Sequence, residues 1–292
     1  MHKAGFVNII GNPNVGKSTL MNALVGEKLS IITSKSQTTR HRIMGIFNGE
    51  DFQVVYSDTP GIVNPHYKLH ESMMHFVNLA LQDADLFLLV TEVGESLKNH
   101  ETLDKVINST IPVILLINKI DLSNQEVVAE RIEYWQKEIP RAIIIPTSAL
   151  EKFNLDAVFN AILEQLPENP PYFPKDELTD KSMRFFVSEI IREKLLIYYQ
   201  REIPYSCEVV VETFQEENNI NKISTIIYVE RESQKGIVIG HQGSMLKKVG
   251  TDARKDIEEF TGKKCFLEIH VKVLKDWRNN DNSLKRFGYE NK

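Results

Sequence analysis

The sequence predicts an α/β domain, built on a mainly parallel sheet with helices on both faces, followed by a smaller α+β domain. Three observations predict it. Short apolar runs recur between longer amphipathic stretches in the first half, namely VNIIG, FQVVYSD, LFLLVTE, PVILLIN and AIIIPTS. Four of the eleven prolines crowd into PENPPYFP at 167–174, which little regular structure can cross. Beyond it the pattern changes to a helix near 183–200, two alternating strands, a helix and a last strand. This places a first domain at 1–166, a linker at 167–182 and a second domain at 183–292.

The first strand, FVNII, runs into GNPNVGKS at 11–18 and then into the helical stretch TLMNALVG. That is G-x-x-x-x-G-K-S between a strand and a helix, the context a phosphate-binding loop requires. Gly11, Asn12, Pro13, Asn14, Val15 and Gly16 would wrap the phosphates, Lys17 would reach the β and γ phosphates, and the Ser18 hydroxyl would ligate Mg²⁺. The strand FQVVYS ends in DTPG at 58–61. There Asp58 would hold Mg²⁺ through water, and the Gly61 N–H, flanked by Thr59, Pro60 and Ile62, would sense the γ phosphate. The strand PVILLI closes with NKID at 118–121 and decides the base. Asp121 accepts from guanine N1–H and the N2 amino group, which adenine does not present together, so GTP is expected over ATP. Asn118 would bind the other edge of the base and Lys119 would pack along its ring. TSA at 147–149 would bring N–H groups of Ser148 and Ala149 to guanine O6.

This ordered series resembles the translation-factor-like GTPases. The resemblance implies a switch threonine that contacts Mg²⁺, for which SKSQTTRHRI at 34–43 offers Thr38 and Thr39; spacing does not choose between them, and we take Thr39. Ile62 stands where Ras-like enzymes carry the water-orienting glutamine, so slow intrinsic turnover is expected. In related GTPases with a GxPNxGKS loop, an asparagine at the place of Asn14 ligates K⁺, which implies K⁺ as a second cation. The catalytic candidates are therefore Lys17, Thr39, Gly61 and Asn14. The metal ligands would be Ser18, Thr39 and Asp58.

In the second half, CEVVVETF and ISTIIYVE alternate well enough to pair as a hairpin across the acidic QEENNIN. VIGHQGSMLKKVG at 238–250 then sets Gly240, His241, Gln242 and Gly243 between an apolar strand end and a helix. This reads as the GXXG loop of a type II KH domain, where two glycines admit an RNA backbone and Lys247 and Lys248 add charge. Charge agrees with that reading. Residues 235–286 hold twelve basic against seven acidic residues, whereas residues 1–178 hold fifteen against twenty-two.

No apolar run reaches the ~18 to 20 residues of a spanning helix, and the N-terminus lacks a signal-peptide cleavage site, so a cytoplasmic protein is expected. Cys207 and Cys265 form no metal-ligand spacing, and His66, His70 and His75 lack the H-E-x-x-H pattern. Further matches at SEIIREKL (188–195), EIPYS (202–206), VERESQKGIVIGHQG (229–243), ARKDIE (253–258) and the closing GYE make the whole chain similar to the Era family of bacterial GTPases. That resemblance implies a monomer that binds the 3′ end of 16S ribosomal RNA under GTP control. It also implies a role in 30S subunit assembly and rRNA maturation and, in some members, peripheral attachment to the inner membrane. Two other readings were weighed. A GTPase of transfer-RNA modification would carry a cysteine near the C-terminus, and residues 266–292 contain none. A passive RNA-binding scaffold would have a degenerate nucleotide site, whereas every motif position here is filled.

Overall fold

The structure, a computed structural model, describes residues 1–95 and 101–289. It forms two compact units. The first comprises residues 1–30, 39–65 and 73–180; the second comprises 31–38, 66–72 and the chain from Lys181 onward.

The first unit holds a six-stranded sheet in the order β2-β3-β1-β4-β5-β6. Its strands are β1 (Lys3–Ile10), β2 (Ile43–Asn48), β3 (Phe52–Asp58), β4 (Leu86–Glu92), β5 (Val113–Asn118) and β6 (Ile143–Pro146). All neighbours are parallel except β2 and β3. The helices are α1 (Lys17–Val25), α2 (Lys68–Gln82, of which residues 73–82 belong to this unit), α3 (Glu101–Asn108), α4 (Gln125–Glu138) and α5 (Leu155–Gln165). All of β5 and nearly all of β4 are buried, as apolar strands covered on both faces must be. Val77 of α2, Leu103 of α3 and Trp135 of α4 pack with Phe87 and Leu115 into one core, while α1 and α5 meet each other.

Strand β2 was not read from the sequence. It is an antiparallel edge strand, and Gly45 in its middle breaks the alternation that would have marked it. Its outer edge is covered by the proline-rich stretch. The Ile46 N–H donates to the Leu178 carbonyl (2.8 Å), Gly45 bridges to Thr179, and the Met44 N–H donates to Asp180 (2.9 Å). Upstream, the buried Gln53 accepts from the N–H groups of Tyr172 and Phe173 and donates to the Phe173 carbonyl. Residues 167–180, with one turn at Pro174–Glu177, thus lie along the first unit.

The second unit contains α6 (Met183–Tyr198), a short α7 (Ile203–Ser206), β7 (Glu208–Glu216), β8 (Ile220–Val229), α8 (Glu232–Ile239), α9 (Ser244–Thr261), β9 (Lys264–Val273) and α10 (Asp281–Arg286). Strand β8 is central, antiparallel to β7 and parallel to β9. Val187, Ile191 and Leu195 of α6 pack with Ile227, Val249 and Ile257 to form its core.

One expectation is corrected. The apolar stretch before GXXG is the end of helix α8, not of a strand. The Gln234 side chain accepts from the N–H groups of Glu230 and Arg231, the N3 half of a capping box, and this starts a helix despite the β-branched residues that follow. The chain's last helix was also missed. Around it, Trp277 Nε1 donates to the Ser206 carbonyl and the Tyr289 hydroxyl to Glu208, while Phe287 packs on Tyr228. Glu290 of the closing GYE lies outside the described residues.

Candidate nucleotide and RNA sites

The loop from Gly11 to Gly16 joins the end of β1 to the start of α1. Gly16 holds φ +98°, and a Cβ there would come within 2.3 Å of Asn118 Nδ2, so close approach as well as conformation demands glycine. Asn14 also adopts a left-handed conformation (φ 66°), which asparagine tolerates best among residues with a side chain. Lys17 is buried, and its Nζ donates to the carbonyls of Gly11 (3.0 Å) and Asn12 (2.7 Å). Burial pushes this ammonium down to about 8, against the pull of Asp58 and Glu95.

Ser18, Thr39 and Asp58 come together beside it. Ser18 Oγ donates to Asp58 Oδ2 (2.7 Å) and lies 2.9 Å from Thr39 Oγ1, which itself is 3.3 Å from Asp58 Oδ2. Thr38 is elsewhere, its hydroxyl donating to the Lys35 carbonyl and sitting 2.7 Å from Thr33 Oγ1. Ser30, which the sequence did not single out, also donates to Asp58 Oδ2 (2.9 Å). Burial raises the Asp58 carboxyl above its ordinary value, opposed by hydrogen bonds from Ser18, Ser30 and Thr39 and by the charge of Lys17. Asp58 Oδ1 is fully buried and has no hydrogen-bond partner among the described residues. A buried orphan carboxylate oxygen beside two hydroxyls is an oxygen donor set that fits a hard divalent cation such as Mg²⁺.

DTPG passes close to the phosphate loop. A Cβ on Gly61 would lie 2.7 Å from Pro13 Cα, and the Ile62 N–H donates to the Gly11 carbonyl. The Thr59 hydroxyl is spent on the Ile9 carbonyl (2.7 Å), and the Ile62 side chain packs in the core with Ile10 and Val77. Both side chains brace the segment. A carboxylate that the motifs do not mark is here too. Glu95 accepts from the Asn12 side chain (2.6 Å), and burial raises its carboxyl.

At the base end, Asn118 Nδ2 donates to the Val15 carbonyl (2.8 Å) and its Oδ1 accepts from the Ala149 N–H (2.9 Å). Among the described residues, the second amide hydrogen of Asn118 has no partner. The N–H groups of Ser148 and Ala149, expected to face guanine O6, are instead satisfied within the protein, Ser148 donating to Phe153. Buried donors require such partners. Lys119 is in a left-handed conformation and pairs with Glu92 (2.7 Å), and Asp121 is exposed in a single 3₁₀ turn, Ile120–Leu122.

In the second unit, Gly240 (φ 73°), Gln242 (φ 50°) and Gly243 (φ 77°) form a tight turn from α8 into α9. No side chain caps the 18-residue α9; its first N–H, that of Ser244, donates to the His241 carbonyl, and His241 and Gln242 are exposed beside it. A groove of about 470 Å³ opens next to it, lined by Gly243, Leu246, Lys247, Gly250, Thr251, Arg254, Leu267 and Ile269. Lys247 lines this groove. Lys248 does not: its ammonium lies 4.1 Å from the centre of the Tyr198 ring, one helical step away. Arg254, which the sequence reading did not single out, lines the groove, and the 247, 250, 251, 254 spacing is that of one helix face.

The first unit is therefore a P-loop guanine-nucleotide-binding domain and the second a KH module, which together define a class of GTPases that carry an RNA-binding fold. A family model described as "50S ribosome-binding GTPase" matches residues 6–119, and one described as "KH domain" matches 202–278. GTPase Era of Staphylococcus haemolyticus (strain JCSC1435) is 44% identical over 291 residues, 99% of this chain and 97% of that protein. GTPase Era of Syntrophus aciditrophicus (strain SB) is 44% identical over 293 residues, 99% of this chain and 96% of that protein. A crystal structure of Era in complex with MgGDPNP and nucleotides 1506–1542 of 16S ribosomal RNA matches with a TM-score of 0.94 at 37% identity, covering 100% of both chains. The chain belongs to the Era GTPase family.

Proposed function

We propose that the chain hydrolyses GTP in its first unit and binds the 3′ segment of 16S ribosomal RNA in its second, as a switch in 30S subunit assembly and rRNA maturation. The functional domains are 1–166 and 183–292, joined by 167–182. The meeting of Ser18, Thr39 and Asp58 beside a buried Lys17 carries the nucleotide reading. Ser18, Thr39 and Asp58 would hold Mg²⁺, which when bound neutralises charge on the β and γ phosphates. Lys17 leaves the loop carbonyls for those phosphates, the Gly61 N–H donates to the γ phosphate, and Asn14 is the candidate K⁺ ligand. With the Ile62 side chain buried in the core, no side chain at that place orients the attacking water, which supports slow turnover. Asp121, Lys119 and the remaining Asn118 hydrogen select guanine.

On the RNA side, Gly240 to Gly243 and the α9 N-terminus meet the phosphodiester backbone, while Lys247 and Arg254 supply charge along an apolar floor of Leu267 and Ile269. The matching family description names the large subunit, but the relative that covers the whole chain was crystallised with small-subunit RNA, and that complex guides this reading. We place the protein in the cytoplasm as a monomer, with a peripheral inner-membrane fraction; no helix among the described residues is long and apolar enough to cross a membrane. The test is RNA crosslinking followed by sequencing, with GTP turnover measured with and without the recovered fragment. Fragments from the 16S 3′ end are expected. Recovery of transfer RNA or 23S fragments in their place would reject the assignment.

A further inference from the structure

Helix α6 buries four charged residues, Glu189, Arg192, Glu193 and Lys194, a costly choice unless each is fully partnered. Lys194 is accounted for by Asp256 and Glu193. Arg192 has a different set of partners. One edge of its guanidinium is taken by Glu189, with Nε donating to Oε1 (2.7 Å) and Nη2 to Oε2 (2.5 Å). Two of the other three N–H groups go to main-chain carbonyls, one on Nη1 to Gln37 (3.3 Å) and one on Nη2 to Thr38. The same segment is fixed twice more. Lys35 Nζ donates to the Leu196 and Tyr199 carbonyls at the end of α6, and the Ile32 N–H donates to Glu193 (3.4 Å). Residues 31–38 are thereby fastened to one helix along their length.

The Thr38 carbonyl belongs to the same planar peptide unit as the Thr39 N–H. An arginine that fixes this carbonyl therefore fixes the plane from which Thr39 departs, and Thr39 is the residue whose hydroxyl meets Ser18 and Asp58. We propose that Arg192 is a positioning residue for the nucleotide reaction, orienting Thr39 through the carbonyls of Gln37 and Thr38. The planar fork is what the task needs, since one face must take a carboxylate and the other two carbonyls at once; a lysine ammonium cannot span both. The proposal rests on the reading of Thr39 given above.

The test compares Arg192→Ala, Arg192→Lys, Thr39→Ala and the pair Glu189→Leu with Arg192→Met, the last removing both buried charges so that the helix is not left with an unpaired carboxylate. Binding of GDP and of GDPNP is titrated with Mg²⁺ present, beside GTP turnover and a thermal melt of each variant. If Arg192 positions Thr39, every Arg192 variant that melts like the wild type loses about tenfold to a hundredfold in turnover and in GDPNP affinity, while GDP affinity stays within about twofold. Adding Thr39→Ala to such a variant then costs little more, because the two act as one unit. Should the Glu189→Leu, Arg192→Met pair fold and bind GDPNP as the wild type does while Thr39→Ala fails, the role of Arg192 is overturned and that of Thr39 stands. Wild-type GDPNP binding by Thr39→Ala overturns both.

Discussion

At Lys17, burial and function pull in opposite directions. The site needs a cation for phosphates, yet burial lowers this ammonium from 10.5 to about 8. Between those values the unfolded lysine keeps its proton and the folded one does not, so the unfolded state binds more protons and stability rises with pH across that window. At about 1.4 kcal/mol per unit, the rise amounts to up to ~3 kcal/mol. In nucleotide-free protein with EDTA, Lys17→Met should lack this increment. Urea unfolding at pH 8 and pH 10 measures it, and an identical pH response in both proteins would contradict the burial argument. At the base end, Asp121→Asn should shift preference from GTP to xanthosine triphosphate, because an amide donor then faces the base where a carboxylate accepted. An unpaired polar contact costs ~1–3 kcal/mol. Competition binding with the two nucleotides decides it; a variant that keeps its GTP affinity and ignores xanthosine triphosphate removes Asp121 from the site. These residues were legible because each motif is a short local string at a strand end. Ser30 and Glu95 were not, since they reach Asp58 and Asn12 only once distant parts of the chain have packed.

On α9, one face lines the groove and the next packs on Tyr198. Lys247, Gly250, Thr251 and Arg254 follow helical spacing along the groove, whereas Lys248 is turned about 100° away onto Tyr198. Lys247→Ala and Arg254→Ala should each weaken binding of a 16S 3′-end fragment and flatten the slope of log affinity against log salt by roughly one unit. Lys248→Ala should leave that slope unchanged. Fluorescence anisotropy across a salt series measures all three, and equal losses at 247 and 248 would refute the face assignment. Apart from β2 and the last helix, the main strands and long helices of both halves followed from periodicity. Helix α8 did not, because GIVIG carries strand-forming residues while the signal that starts the helix, Gln234 folded back on the N–H groups of Glu230 and Arg231, lies several residues upstream.

For the whole molecule, the proline-rich stretch announced a boundary, but its path was hidden. So was the grouping of residues 31–38 and 66–72 with the second unit, since contacts between positions more than 150 apart leave no local pattern in a sequence. The path has a consequence of its own. Residues 178–180 occupy the backbone groups of β2 that would otherwise stand open along the rim of the sheet, and such a rim is a template on which another chain can add a strand. A fragment ending at residue 166 should self-associate at concentrations where one ending at residue 180 sediments as a monomer. Equal behaviour of the two would show that the rim needs no cover. The segment that joins the two domains thus doubles as a guard against aggregation, and a proteolytic cut just after residue 166 would make the first domain sticky while leaving its nucleotide motifs intact.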